Sequence, residues 1–126
     1  MATGQLTYNF PGRYSFICPP DVTSVSVVCV GAGGKSSSSK GTDSVGGGGG
    51  GLGYKNNITV VPGNSYLVVV GEGGRYDDAH LSGMRGGDSY FISNTTVAGL
   101  GGKGGQTAGN AGAGGTYFGD GGGNGV

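Results

Sequence analysis

Ordinary apolar residues are scarce in this chain of 126 residues, because hydrophobic side chains make up only 34% of it. A typical globular sequence is ~45–50% apolar when glycine is counted, so the predicted core is thin. Glycine fills 34 positions, and each ordered glycine loses more backbone entropy than any other residue. A monomer of this composition is expected to be marginally stable. Partners or backbone hydrogen bonds must therefore supply what the core lacks.

Net charge is also lacking, since seven basic residues balance seven acidic ones. Nucleic acids and anionic membranes attract basic surfaces, so neither is an expected partner. No stretch approaches the ~18–20 apolar residues of a membrane span. The first five residues have neither the basic nor the apolar region of a signal peptide. The sequence therefore predicts a chain without a signal peptide, made in a cytoplasm and either kept there or carried in a particle.

Cysteine is rare too, with only Cys18 and Cys29 present. Two cysteines are too few for a disulfide scaffold. Both lie in apolar runs typical of strands, which predicts that they are buried as small hydrophobic residues. A disulfide between adjacent strands is the alternative, and a reducing compartment disfavours it.

Catalytic and metal-binding patterns are missing as well. The single histidine, His80, has no recognisable nucleophile motif beside it. Asp77, Asp78 and Asp88 lie near His80 in the sequence, but their spacing matches no standard metal site and favours a solvated loop. The sequence therefore predicts no catalytic residue and no bound metal.

The stretch 29–36 only partly matches a phosphate-binding loop. Gly34, Lys35 and Ser36 fit the end of that motif, but Cys29 stands where its first glycine should be. The residues that follow are poor helix formers, and the motif depends on a helix N-terminus for its anion site. No nucleotide or other cofactor is therefore predicted.

Alternating apolar residues predict an all-β fold, and no apolar residues recur at helical spacing. The Pro11-Gly12 turn predicts a hairpin between strands at 5–10 and 13–18, and the Pro62-Gly63 turn predicts a second hairpin. The second half of the stretch 22–30 is apolar on both faces, as in a central strand. The predicted strands cover 5–10, 13–18, 22–30, 54–61, 66–70 and 88–92, with a further short one at 95–98.

Glycine in the last part of the chain follows a period of three. Gly99, Gly102 and Gly105 are three apart, and the same spacing occurs in a second set at 109, 112 and 115. Three residues per turn is the pitch of a polyproline-II helix. Without Cβ atoms, such helices can pack closely and bond N–H to C=O between neighbours. The alternative is a disordered tail.

These observations predict a small all-β domain with glycine-rich insertions and packed segments of polyglycine-II type. Residues 1–98 form the β domain, with a Gly/Ser-rich insertion at about 31–53. Residues 99–126 form a glycine-rich segment of the same domain that packs on it.

Three aromatic residues lie among glycines and polar residues, where a core position is hard to arrange. Tyr76, Tyr117 and Phe118 are the candidates. Exposed aromatics bind sugars or partner proteins, so these residues are predicted to contact a partner or a glycan. The alternative is that they cover the ends of the glycine array.

The order of sequence blocks along nearly the whole chain resembles the glycine-rich domain of bacteriophage tail fibres and related virion and surface proteins. The blocks, in order, are 20–27, 30–34, 59–66, 68–74, 86–91 and the glycine-rich end. The resemblance implies that residues 1–98 are a small, jelly-roll-like β-sandwich with glycine-rich insertions, and it implies a location in a virion. It implies no catalytic residues.

Together with the thin core, the resemblance predicts a non-enzymatic structural protein of a tail fibre or appendage, acting in particle assembly or host attachment. Its expected partners are other copies of itself, other virion proteins and a host surface glycan. A homotrimer is favoured, because closed symmetry suits fibres. Two alternatives remain open: a capsid decoration protein, and a bacterial surface or carbohydrate-binding module.

Overall fold

The computed structural model describes residues 4–37, 45–75, 84–105 and 111–126. Within these ranges all regular structure is β-strand, and no helix in them is long and apolar enough to cross a membrane. The strands are β1 (Gly12–Ile17), β2 (Ser24–Val30), β3 (Leu52–Thr59), β4 (Ser65–Val70), β5 (Ser89–Phe91), β6 (Val97–Gly99), β7 (Tyr117–Phe118) and β8 (Gly121–Gly123).

The strands form two antiparallel sheets, as a small β-sandwich requires. One sheet has five strands in the order β1-β4-β5-β6-β7, and the other has three in the order β2-β3-β8. The predicted all-β fold with two layers is therefore confirmed.

A small core lies between the sheets, centred on the ring of Phe91. The ring centroids of Phe16 and Tyr66 lie 6.1 Å and 5.9 Å from it. Both cysteines are buried there as free thiols, as predicted. The buried members of the core are Cys18, Cys29, Ile58, Val60, Phe91 and Val97.

The two predicted hairpins are wrong in their pairing. β1 pairs with β4, and β3 pairs with β2, so neither strand pairs across the turn next to it. The stretch 5–10 is not a strand, although the ring of Tyr8 lies 5.2 Å from that of Tyr14. The Pro11-Gly12 and Pro62-Gly63 signals mark true reversals, but at Pro62 the chain passes from one sheet to the other.

The position of β2 also differs from the prediction. Its apolar residues on both faces predicted a central strand, but β2 lies at an edge of the three-stranded sheet. Cys29 faces the core, whereas Val28 and Val30 are exposed on the outer face. The sheet therefore leaves apolar side chains in solvent where the sequence predicts burial.

Candidate functional site

Seven extended segments continue the strands beyond one end of the sandwich. Segments 1 and 2 (31–37 and 45–51) follow β2 and precede β3. Segments 3 and 4 (71–75 and 84–88) follow β4 and precede β5. Segments 5 and 6 (100–105 and 111–116) follow β6 and precede β7, and segment 7 (124–126) follows β8.

Backbone hydrogen bonds join these segments at every third residue. Three N–H groups of segment 1 donate to carbonyl oxygens of segment 2 at distances of 2.8 to 3.0 Å. The pairs, donor first, are Gly31–Gly51, Gly34–Gly48 and Ser37–Val45. A period of three belongs to the polyproline-II helix, which has no internal hydrogen bonds and leaves its amide groups free for neighbours. The predicted bonding between glycine-rich segments is confirmed.

The hydrogen-bond partners arrange the segments in two rows, which we call the glycine bundle. Segments 3, 1, 2 and 7 form one row, and segments 4, 5 and 6 form the other. Segment 5 bonds to segments 4 and 6 in its own row and to segments 1 and 2 in the opposite row. Backbone groups that a conventional domain would pair in sheets are paired here between parallel and antiparallel coils.

Glycine is needed in the bundle because neighbouring carbonyl groups occupy the space of a side chain. A Cβ atom on Gly34 would overlap with the carbonyl oxygen of Lys103, and one on Gly101 would overlap with that of Gly86. A Cβ atom on Gly33 would meet only the carbonyl oxygen of Gly48, at 3.8 Å. The inward positions therefore require glycine, whereas outward ones accept a side chain.

Conformational freedom is not what selects these glycines. Among the described glycines, left-handed φ values occur only at Gly12, Gly63 and Gly119, and all three lie outside the bundle. Close approach of backbones, as at a crowded polyproline-II axis, is thus the reason for the composition.

At the far end of the bundle, the ends of the described segments lie close together. Ser37 bonds to Val45 there, and Met84 bonds to Arg75. The N–H of Gly105 donates to the carbonyl oxygen of Lys35 at 2.9 Å, which sets the end of segment 5 at the same level. The ends of all three connected pairs of segments therefore lie at one end of the molecule.

Side chains fasten the bundle where it meets the sheets. Oδ1 of Asp88 accepts hydrogen bonds from the N–H of Gly101 and from the Arg85 guanidinium, each at 2.9 Å. The buried hydroxyl of Ser89 accepts from the N–H of Gly71 at 2.9 Å. These bonds tie segments 3, 4 and 5 together through groups that a purely backbone array lacks.

The aromatic candidates at the end of the chain lie on β7, at an edge of the five-stranded sheet. Tyr117 and Phe118 are both exposed, and they pair with Gly99 and Ala98 of β6. The Tyr117 ring packs close to the backbone of Gly122. Tyr117 is therefore partly engaged with β8, whereas Phe118 is the more open of the two. Tyr76 lies outside the described residues.

Of the four residues considered for a metal site, the structure describes only Asp88. Asp77, Asp78 and His80 lie outside the described residues. Asp88 bonds to Arg85 and to Gly101, so its carboxylate is already engaged in the bundle.

Comparison with known proteins agrees with this architecture. A family model described as a glycine-rich domain matches residues 7–126. The chain belongs to this glycine-rich domain family. No curated protein and no solved structure matches it.

Two segments of this glycine-rich domain were missed by sequence reasoning. The stretch 71–87 predicts a polar loop, but its described parts are segments 3 and 4 of the bundle. Gly71 and Gly74 are three apart, and this spacing was the available signal. It was obscured because charged residues, Glu72 and Arg75, fill the outward positions and give the stretch the composition of a loop.

Among the described titratable groups, only the Cys29 thiol has a strongly displaced pKa, and burial is its main cause. Removal of the Cys29 thiol from water raises its pKa to about 11, because burial disfavours the charged thiolate. The thiol is therefore protonated and unreactive at neutral pH, as befits a structural residue of the domain.

Proposed function

We propose that the chain is a non-enzymatic structural protein of a bacteriophage virion, in a tail fibre or related appendage. In this role it acts in particle assembly or host attachment, together with other copies of itself and other virion proteins. The protein is made in the host cytoplasm and works as part of the particle. The homotrimer expected from the sequence stays a prediction.

The observation that carries this proposal is the glycine bundle. Its hydrogen bonds hold the ends of three pairs of segments side by side at one end, with the sandwich at the other. Such an element holds its shape through backbone pairing rather than through a large core. A rigid projection of this kind suits an appendage, which must transmit position over a distance. The block order that resembles tail-fibre domains supports the same role.

The test is to locate the chain on purified particles from a bacterial culture that produces it. Antibody labelling with electron microscopy is expected to mark the tail or its fibres, and quantitative mass spectrometry is expected to find few copies per particle. Labelling over the whole shell, with copies in the number of shell subunits, would instead identify a capsid decoration protein. Absence from particles would contradict both roles.

A host surface glycan is the partner that the exposed aromatics on β7 favour. Phe118 and Tyr117 are exposed and lie within three residues of Asp120 in the sequence, and exposed aromatic residues near polar ones are typical of sugar binding. Glycan-array binding is expected to fall at least tenfold in Phe118→Ala. The matched control is Phe10→Ala, since Phe10 is an exposed phenylalanine far along the chain from β7. Equal binding by both variants and the unaltered chain would exclude this surface.

A further inference from the structure

No strand in the described part of the chain pairs with the outer edge of β2. Ser24–Val30 contains no charged residue and no proline, although charges, proline and short length are how proteins usually protect sheet edges. The other edge strands have such protection. β7 and β8 are only 2 and 3 residues long, and β1 carries Arg13. β2 is the longest edge strand and the one without these features.

The hydrogen bonds at the two ends of the β2–β3 pair show which backbone groups of β2 point toward the open edge. The N–H of Val60 donates to the carbonyl of Thr23, and the N–H of Gly31 donates to the carbonyl of Gly51. Because direction alternates along a strand, odd-numbered residues of β2 direct their polar groups toward β3. Ser26, Val28 and their even-numbered neighbours therefore direct N–H and C=O groups toward the open edge.

The edge is also regular in shape. Between the pairs Val25–Ile58 and Val27–Lys55, β2 advances two residues while β3 advances three. The extra residue of this bulge therefore lies in β3, where Asn57 has a φ of 56°. A bulge in an edge strand would turn that edge away from a partner, but the extra residue here lies in the central strand β3.

An apolar patch adjoins the edge on the outer face of the sheet. Val28 is opposite Tyr54, and Val30 is opposite Leu52. Directly opposite residues of an antiparallel pair share a face, so these four side chains form one cluster. All four are exposed.

We propose that β2 pairs antiparallel with β2 of a second copy of this chain, so that two three-stranded sheets join into one. A second copy fits this edge because a twofold axis presents each strand with the same alternating donors and acceptors. Neither strand brings a charge that would repel its twin. The pairing also brings the two apolar patches side by side and gives β2 the central position that its sequence pattern predicts.

This inference rests on the self-association proposed above and specifies the surface that mediates it. It predicts a dimer, whereas the sequence favours a homotrimer. β2 has seven residues, far fewer than the ~20–30 residues per partner of a standard stable interface. Association is therefore expected at micromolar or higher concentration, and mass should depend on concentration.

Sedimentation velocity of the full chain over a range of concentrations tests the pairing. The unaltered chain is expected to approach the mass of two copies. Val28→Lys should lower the association constant at least tenfold, because each pair then contains two charges at the shared edge. Ile17→Lys is the matched control, since Ile17 on β1 is 64% exposed and Val28 is 66% exposed. The control should associate as the unaltered chain does.

Amide hydrogen exchange gives an independent readout of the strand edge itself. The N–H groups of Val28 and Ser26 should exchange more slowly in the associated state than in dilute solution, because a partner strand accepts their hydrogen bonds. A chain that stays monomeric at all concentrations would overturn the inference. A mass of three copies, equal effects of the two lysine variants, or no added protection at these amides would also overturn it. A pair formed by a chain that is absent from virions would leave this inference standing and contradict the proposed function alone.

Discussion

The requirement for glycine differs sharply between adjacent residues of the bundle. Gly33 and Gly34 are neighbours in segment 1, but only Gly34 has a carbonyl group in the space that a Cβ atom would take. Composition cannot distinguish the two positions, because both are glycine. Their hydrogen-bonded surroundings can.

Alanine is expected to affect the free energy of unfolding very differently at these two positions. Gly34→Ala forces segment 1 away from segment 5 and should lower the free energy of unfolding by at least about 2 kcal/mol, as overpacking does. Gly33→Ala has room for its methyl group and should change it by less than about 1 kcal/mol, in the stabilising direction if unfolded-state entropy dominates. Urea unfolding of the two variants beside the unaltered chain measures the difference. Equal destabilisation would argue against the bundle.

The buried thiol of Cys29 makes stability depend on alkaline pH. Its pKa is raised from 9.0 to about 11 by burial, so the unfolded chain releases this proton at a lower pH than the folded one. The contribution is complete below pH 9 and is lost as pH rises toward 11. The slope approaches about 1.4 kcal/mol per pH unit between those values.

Comparison with Cys29→Ala isolates this effect, since other titrating groups are common to both proteins. Denaturant unfolding at intervals from neutral pH to about pH 10.5 should find the unaltered chain losing stability faster than the variant above pH 9. Parallel curves would mean that the thiol titrates normally in the folded state.

At the scale of elements, the sequence predicts strands better than it predicts their partners. The strands at 24–30, 52–59 and 65–70 follow from alternation, which depends only on which residues face the core. Pairing depends on where a strand lies in the sandwich. The short turn at Pro62-Gly63 carries the chain between sheets, and local signals cannot distinguish this from a hairpin.

The Asp88 carboxylate is one of the groups that fasten the bundle to the sheets. Asp88→Ala removes the acceptor for the N–H of Gly101 in a partly buried place, and an unsatisfied group of this kind costs about 1–3 kcal/mol. Asp88→Asn keeps an acceptor oxygen and loses only the ion pair with Arg85, whose side chain is 56% exposed, so that loss should be about 1 kcal/mol or less. Thermal unfolding is expected to rank the alanine variant well below the asparagine variant. The same melting temperature for both would assign no role to the acceptor.

For the molecule as a whole, unfolding is expected to expose many backbone amide groups to water and comparatively few apolar side chains. Exposure of apolar surface raises the heat capacity, whereas exposure of polar surface lowers it. With a core this small and many buried amide groups, the heat-capacity change of unfolding should lie below the usual ~12–15 cal/mol/K per residue. Scanning calorimetry at several pH values below 9 measures it. A value within or above that range would indicate that apolar burial dominates after all.

The sequence predicts the principle of the bundle but not its extent. The period of three at 99–105 and 111–116 indicates packed coils, and both stretches are in the bundle. The stretch at 71–75 escaped because charged side chains break up its glycine content. Of the site residues, Tyr117 and Phe118 are exposed as a partner surface needs, while their binding role stays a prediction.

The alternation of inward glycine and outward side chain separates the surface of the bundle from its interior. Lys103 and Ala113 point outward between glycines that touch other backbones, so their replacement disturbs no buried packing. The chain can thus exchange charge, size or polarity at such sites while the coils keep their spacing. Selection or design can therefore change the outward side chains of the bundle without changing the arrangement of its backbone.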